Sequence, residues 1–190
     1  NVLSGKVNPS GKLPVTFAIK QNDYPCFKYG AEGYPGVNKQ VYYKEGIYVG
    51  YRFFDTNKVK VQFPFGYGLS YTTFRYGKPV LSSSTITNGG RITLTATVTN
   101  TGKCAGKEVV ELYIGDEKCS VDRPLKELKG FSKVSLNPGE TKTVSFDITP
   151  EDLQFFSETQ HCWAAEPGKF KAYVCASSED VRGTAEFELR

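Results

Sequence analysis

Catalysis needs reactive side chains at workable spacings, and this 190-residue chain offers few. Its single histidine, His161, would have to serve in any Ser/His/Asp or Cys/His arrangement, and no G-x-S-x-G elbow accompanies it. Gly66-Tyr67-Gly68 begins like a phosphate-cradling loop, but Tyr71 stands where a third glycine would be needed, so it reads as an aromatic turn. The five cysteines, Cys26, Cys104, Cys119, Cys162 and Cys175, show no C-x-x-C spacing, and an odd number leaves at least one thiol unpaired. A zinc site would need mostly thiolates from scattered positions, and His161 and Cys162, as strand neighbours, point to opposite faces. The cysteines are read as small buried or surface thiols, slightly favouring a reducing compartment, and no metal or cofactor is expected. Carboxylates remain. Hydrolysis of an acetal linkage between sugars takes two acids about 5–10 Å apart, and Glu32, Glu45 and Asp55 are the acids set among aromatic residues. Glu45 and Asp55 read more simply as partners of Arg52 or of backbone amides. Glu111 and Asp147 fall at outward-facing strand positions and are expected to be solvated.

The elements that would have to position these groups divide the chain in two. Residues 1–75 carry ten Lys/Arg against four Asp/Glu, and 17 of the 26 aromatic residues lie at or before Tyr76. The remainder carries fourteen against sixteen. A seam near residue 75 is therefore expected, with domains at 1–75 and 76–190. In the first part Asn8-Pro9-Ser10-Gly11 is a turn signal and Leu13–Phe17 a short strand. Residues 20–40 read as an irregular aromatic loop, and 41–54 permit a short helix. Tyr42, Tyr43, Tyr48, Tyr51, Phe53, Phe54, Phe63, Phe65 and Tyr67 form an aromatic surface too large for so short a segment to bury, which calls for a partner. The chain begins in a loop, as a piece cut from something larger would.

After Tyr76 the pattern alternates at period two. Ile92–Thr99 sets apolar against polar residues, Val110, Leu112 and Ile114 line one face of a second strand, and Val144, Phe146 and Ile148 line another. Further strands are expected at 128–134, 169–176 and 184–189, with a helical turn at 151–156. About seven short strands over such a length make a mainly β fold, a fibronectin-III/immunoglobulin-like β-sandwich preceded by an extended aromatic linker.

Composition excludes several classes. No run of about 18 apolar residues is present, and the first residues, Asn1-Val2-Leu3-Ser4-Gly5, lack the pattern of a signal peptide. A net charge of +4, thinly spread, gives no reason to expect nucleic-acid binding, and no membrane association is expected. Compartment is left open between cytoplasm and export.

Three blocks of the first part resemble the C-terminal half of family 3 glycoside hydrolases: Gly11-Lys12-Leu13-Pro14-Val15-Thr16-Phe17, the run Tyr43–Asp55 (YKEGIYVGYRFFD) and the run Phe63–Thr72 (FPFGYGLSYT). Downstream, Val98–Gly102 (VTNTG), Gly106–Val110 (GKEVV), Arg123–Phe131 (RPLKELKGF) and Asn137-Pro138-Gly139-Glu140 are similar to that family's fibronectin-III-like domain. One departure is Ala18, where the family often has proline. The resemblance implies that residues 1–75 are the tail of an α/β sandwich domain plus a linker. In that family a TIM-barrel domain supplies an Asp nucleophile and the α/β sandwich a Glu acid/base, which remove β-linked glucose or xylose with retention. Both positions precede the block matching Gly11–Phe17. The resemblance thus implies a non-catalytic C-terminal part of a β-glucosidase-like enzyme, with no catalytic residue of its own. Its partners would be the upstream TIM-barrel and α/β sandwich domains, with a β-linked glucoside or xyloside reached through the parent. A free carbohydrate-binding or adhesion module is the competing reading. Such a module would carry its aromatics on the sandwich, and only nine of the 26 fall there.

Overall fold

The computed structural model describes residues 1–87 and 89–190. The aromatic segment holds four short elements: β1 (Phe17–Ala18), α1 (Pro25–Lys28), α2 (Tyr51–Thr56) and β2 (Val61–Phe63). Then come β3 (Phe74–Tyr76), β4 (Val80–Leu81), β5 (Thr85–Ile86), β6 (Ile92–Asn100), β7 (Gly106–Asp116), β8 (Glu127–Leu136) and β9 (Thr141–Ile148). The chain closes with α3 (Pro150–Leu153), β10 (Phe155–Ser157), β11 (Cys162–Ala164), β12 (Gly168–Cys175) and β13 (Val181–Leu189).

Two sheets face each other. One has the order β5-β13-β12-β7-β8; in the other β6 pairs with β3, β4 and β9. The alternation expected from the sequence is what closes them. Ile92, Leu94, Ala96 and Val98 of β6, with Val144, Phe146 and Ile148 of β9, meet Val110, Leu112 and Ile114 of β7 and Phe170, Ala172 and Val174 of β12 in one core. Antiparallel register brings each strand's apolar set to the same side, because side chains alternate at period two. The sandwich expected from the sequence is therefore present.

Asn100 knots the end of β6. Fully buried, it accepts from Thr72 Oγ1 at 2.6 Å and from the Gly102 amide, and its own amide donates to the carbonyls of Cys104 and Leu136. Its polar atoms are thus engaged, as burial requires.

Local differences from expectation have simple causes. The Leu13–Phe17 strand shrinks to β1, because Leu13 exchanges backbone bonds with the Gly66–Tyr67 turn instead of a ladder strand. Ala18, not proline, supplies an amide that donates to Tyr24 Oη at 3.2 Å, a bond proline cannot make. Residues 20–40 are not wholly irregular: they fold into α1 between two single 3₁₀ turns, Gln21–Asp23 and Gly30–Glu32. The helical turn expected at 151–156 ends at Leu153. Thr149 caps it through Asp152, Pro150 opens it, and Phe155 then enters a two-stranded hairpin with β11.

Candidate functional site

The chemistry-bearing residues of the first part do not assemble into an acid pair. They lie along a seam where the aromatic segment folds back over the outer face of the five-stranded sheet. On β7, core-facing residues alternate with Glu111 and Tyr113, which point away from the core. Both are nonetheless buried, as are Cys175 of β12 and Lys126 before β8, because the segment covers them. Tyr51 of α2 stands edge-on to Tyr113, with ring centres 5.5 Å apart, and packs on Phe65. Glu111 accepts from Tyr113 Oη at 2.7 Å. Its solvation, expected from the outward position, is corrected by the structure: the direction is right, but residues 51–67 exclude the water. Asp147 is exposed, paired with Arg91 at 3.2 Å.

Gly66 makes this closure possible. Its φ is +80°, and a Cβ there would sit 2.4 Å from Glu111 Oε1. Only glycine satisfies both the left-handed backbone and the close approach.

Asp55 is the centre of the seam. From α2 it receives Lys126 Nζ at 2.5 Å and Ser178 Oγ at 3.5 Å, in an ion pair whose two side chains are each 5% exposed. Burial lifts its carboxyl above the ordinary range, against the opposing pull of Lys126 and Ser178. It lines a cleft with Lys126, Ser178 and Glu179, and neither Glu32 nor Glu45 lines that cleft. Glu32 pairs with Lys44 at the surface. Among the described residues, one buried carboxylate oxygen of Glu45 has no hydrogen-bond partner. The expected partnership with Arg52 is corrected for both acids. Arg52 instead reaches Glu127 at 3.3 Å, and Glu127 also accepts from Arg123 at 2.6 Å. Burial opposes the charge on Glu127, but the Arg123 bond and the Lys129, Arg123 and Arg52 charges outweigh it and hold its carboxyl below the usual range.

Further contacts stitch the same seam. Tyr48 Oη donates to Asp122 at 2.6 Å, and burial with that carboxylate pushes the phenol up to about 12. The Leu128 amide donates to Tyr51 Oη, the Leu125 amide to Thr56 Oγ1, and the Ser178 amide to the Phe65 carbonyl. Nothing local in the sequence marks Lys126, Ser178 or Tyr113 as partners of the segment. The one signal for Tyr113 was that it and Val109 set large apolar bodies on the outward face of β7, among the polar Lys107 and Glu111.

The expectation that the aromatic surface lies bare is corrected in part. Phe53 and Phe54 are buried and Tyr48, Tyr51, Phe65 and Tyr67 half-buried, whereas Tyr42, Tyr43 and Phe63 stay exposed, Tyr43 at 83%. Val41, Ile47 and Val49 are exposed beside the tyrosines. The five cysteines are free thiols, and burial raises Cys175 to about 12. Among the described residues no three His, Cys, Asp or Glu side chains are placed to hold a metal ion.

A two-sheet sandwich braced on one outer face by an aromatic segment defines a fibronectin-III-like module with an appended tail. The fibronectin type III-like domain model matches residues 108–178, and the C-terminal domain model of glycosyl hydrolase family 3 matches residues 1–51. A β-glucosidase of Bacteroides ovatus, BoGH3A, is 58% identical over 188 residues, 99% of this chain and 25% of the relative. The thermostable β-glucosidase B of Acetivibrio thermocellus is 44% identical, over 95% of this chain and 23% of the relative. Among solved structures, DesR, a β-glucosidase from Streptomyces venezuelae in complex with D-glucose, superposes with a TM-score of 0.91 at 40% identity. It matches all of this chain and 24% of its own. The chain belongs to the family 3 glycoside hydrolases as a C-terminal part, fibronectin-III-like domain included, and spans about a quarter of the length of these relatives.

Proposed function

We propose that this chain is the non-catalytic C-terminal part of a retaining β-glucosidase-like enzyme, and that it packs on and stabilises the catalytic domains. The carrying observation is the run Val41, Tyr42, Tyr43, Ile47 and Val49, whose large apolar side chains stay exposed within nine residues of chain. Exposed large apolar side chains grouped in this way are costly in water and support a contact face. Upstream TIM-barrel and α/β sandwich domains are its proposed partners, and a β-linked glucoside or xyloside the substrate of the whole. Residues 1–75 act as the docking tail, except that Phe74 and Arg75 of β3 already pair with β6, and 76–190 as the sandwich. In this reading no catalytic residue lies in the chain. Asp55, the one buried acid raised above its usual range in the segment, is held by Lys126 and Ser178 and is not free to attack or to donate a proton.

The test has two arms. The purified chain is assayed on nitrophenyl β-glucoside and β-xyloside beside Glu45→Gln and Asp55→Asn, and no turnover above background is expected. The chain is also mixed with the barrel and α/β sandwich portion of the Bacteroides ovatus relative. Saturable association that Tyr43→Ser weakens supports docking. Turnover by the chain alone that either acid substitution abolishes would overturn the reading, as would failure to associate.

A further inference from the structure

A second concavity lies on the sandwich, beside the β10–β11 hairpin. Phe156 and Trp163 are directly paired across that hairpin and stand edge to face, ring centres 5.8 Å apart. Trp163 is 65% exposed and Phe156 48%. Both line a cavity of about 720 Å³, as does Ile47. That volume is in the range of small-molecule clefts, about 300–1,000 Å³. An exposed indole on a two-stranded hairpin, beside a concavity, is a platform without a cover.

The polar lining narrows the occupant. Arg52, Arg123 and Lys129 face Asp122, Glu127 and Glu158 around the cavity, so the charged groups balance. A phosphate, a polyanion or a cation would find no excess of the opposite sign. A neutral ligand that both donates and accepts hydrogen bonds suits the set. Gln154 and Glu158 make no side-chain hydrogen bond among the described residues, and Asp122 uses one oxygen, toward Tyr48. These planar groups are open to hydroxyls. Pyranose rings with all-equatorial hydroxyls combine such a polar rim with two flat faces of C–H bonds, and those faces stack on an indole as an apolar body does.

We infer that this cleft binds a short neutral β-gluco-configured oligosaccharide, stacked on Trp163 and Phe156 and hydrogen-bonded by Gln154, Glu158 and Asp122. This is a non-catalytic sugar site on the sandwich, and it does not rest on the docking role proposed above.

Trp163 is the only tryptophan in the sequence, so intrinsic fluorescence reads the cleft directly. Cellotetraose titrated into the full 190-residue chain is expected to give a saturable emission change. Phe156→Ala, which keeps the reporter, should weaken binding about tenfold, in the manner of a truncated binding hot spot. Trp163→Ala, followed by calorimetry, should lose binding while keeping the thermal transition, since the side chain is mostly exposed. Mannotetraose, whose axial hydroxyl spoils the flat face, should bind more weakly. No saturable change up to about 10 mM cellotetraose, well past a millimolar Kd, would overturn the site. So would preferential, salt-sensitive binding of heparin, which would make the cleft an anion site. An emission change that follows chain concentration without sugar would likewise overturn it, as a face between copies.

Discussion

The two parts of this molecule reach order by different routes. In the sandwich each long strand carries its own alternation, and the two sheets bury a continuous core of Val, Ile, Leu and Phe. The aromatic segment has no comparable core. Only Phe53 and Phe54 of its large residues are buried, and its strands, β1 and β2, are two and three residues long. It is ordered by contact with the outer sheet face, through the buried Asp55–Lys126 ion pair, the edge-on contact of Tyr51 with Tyr113 and a series of bonds to backbone amides. Order that is borrowed in this way depends on single contacts more than order spread over a core does. The seam is therefore where substitutions should separate the two parts.

The largest effect is expected at the buried pair. Lys126→Met or Asp55→Ala alone leaves an uncompensated charge under the segment and should cost about 3–5 kcal/mol. The double variant Asp55→Leu with Lys126→Met should recover most of that loss. Urea unfolding of the three variants tests this, and additive losses would show that the two side chains are not a unit.

Gly66→Ala comes next. The positive φ alone should cost about 1–3 kcal/mol, and the Cβ must also displace Glu111. Proteolysis should then cut residues 51–67 while the sandwich stays protected. Loss of both together would mean that segment and sandwich form one cooperative unit.

Removing residues 1–71 sharpens the same point. The remainder keeps β3 and the Thr72–Asn100 bond, and should melt cooperatively because its core is its own. Its newly bared outer face, around Tyr113 and Cys175, should bind a hydrophobic dye. A broad, non-cooperative melt would show that the sandwich needs its brace.

A smaller, pH-dependent effect is expected at Glu111. Burial, opposed by the Tyr113 bond and Lys12, raises its folded-state pKa above the unfolded value. The ionised carboxylate therefore weighs against the fold at high pH, and that penalty vanishes as pH falls through the raised pKa. Glu111→Gln should be more stable than the parent near pH ~8, with the difference shrinking toward pH ~4. Denaturant midpoints across that range test the sign.

The smallest effect on stability is expected at the exposed run. Tyr43→Ser should change stability by no more than about 0.5 kcal/mol while lowering dye binding and any self-association.

Much of the sandwich was legible because a strand with one buried face must alternate, and Ile92–Thr99 and Thr141–Ile148 do so. The segment was less legible. Its aromatic density announced a covering role, but no periodicity said which rings would turn inward. Arg52 could be matched by charge with Glu45 or Asp55, and nothing local showed that Glu127, seventy-five residues on, would take it instead. Glu111 looked solvated because strand geometry gives direction and not what lies beyond.

By itself, then, the order of residues determined the alternating strands and their turns, and the Gly-rich bend at Gly66. Each of these depends on interactions within a few residues or on the side-chain period of an extended backbone. The tertiary structure alone decided that Asp55 meets Lys126 and Ser178, that Tyr51 covers Tyr113, and that Trp163 stands beside a cleft with balanced charges. Those contacts join positions far apart in the chain, and which of them form depends on how the segment lies across a finished sheet.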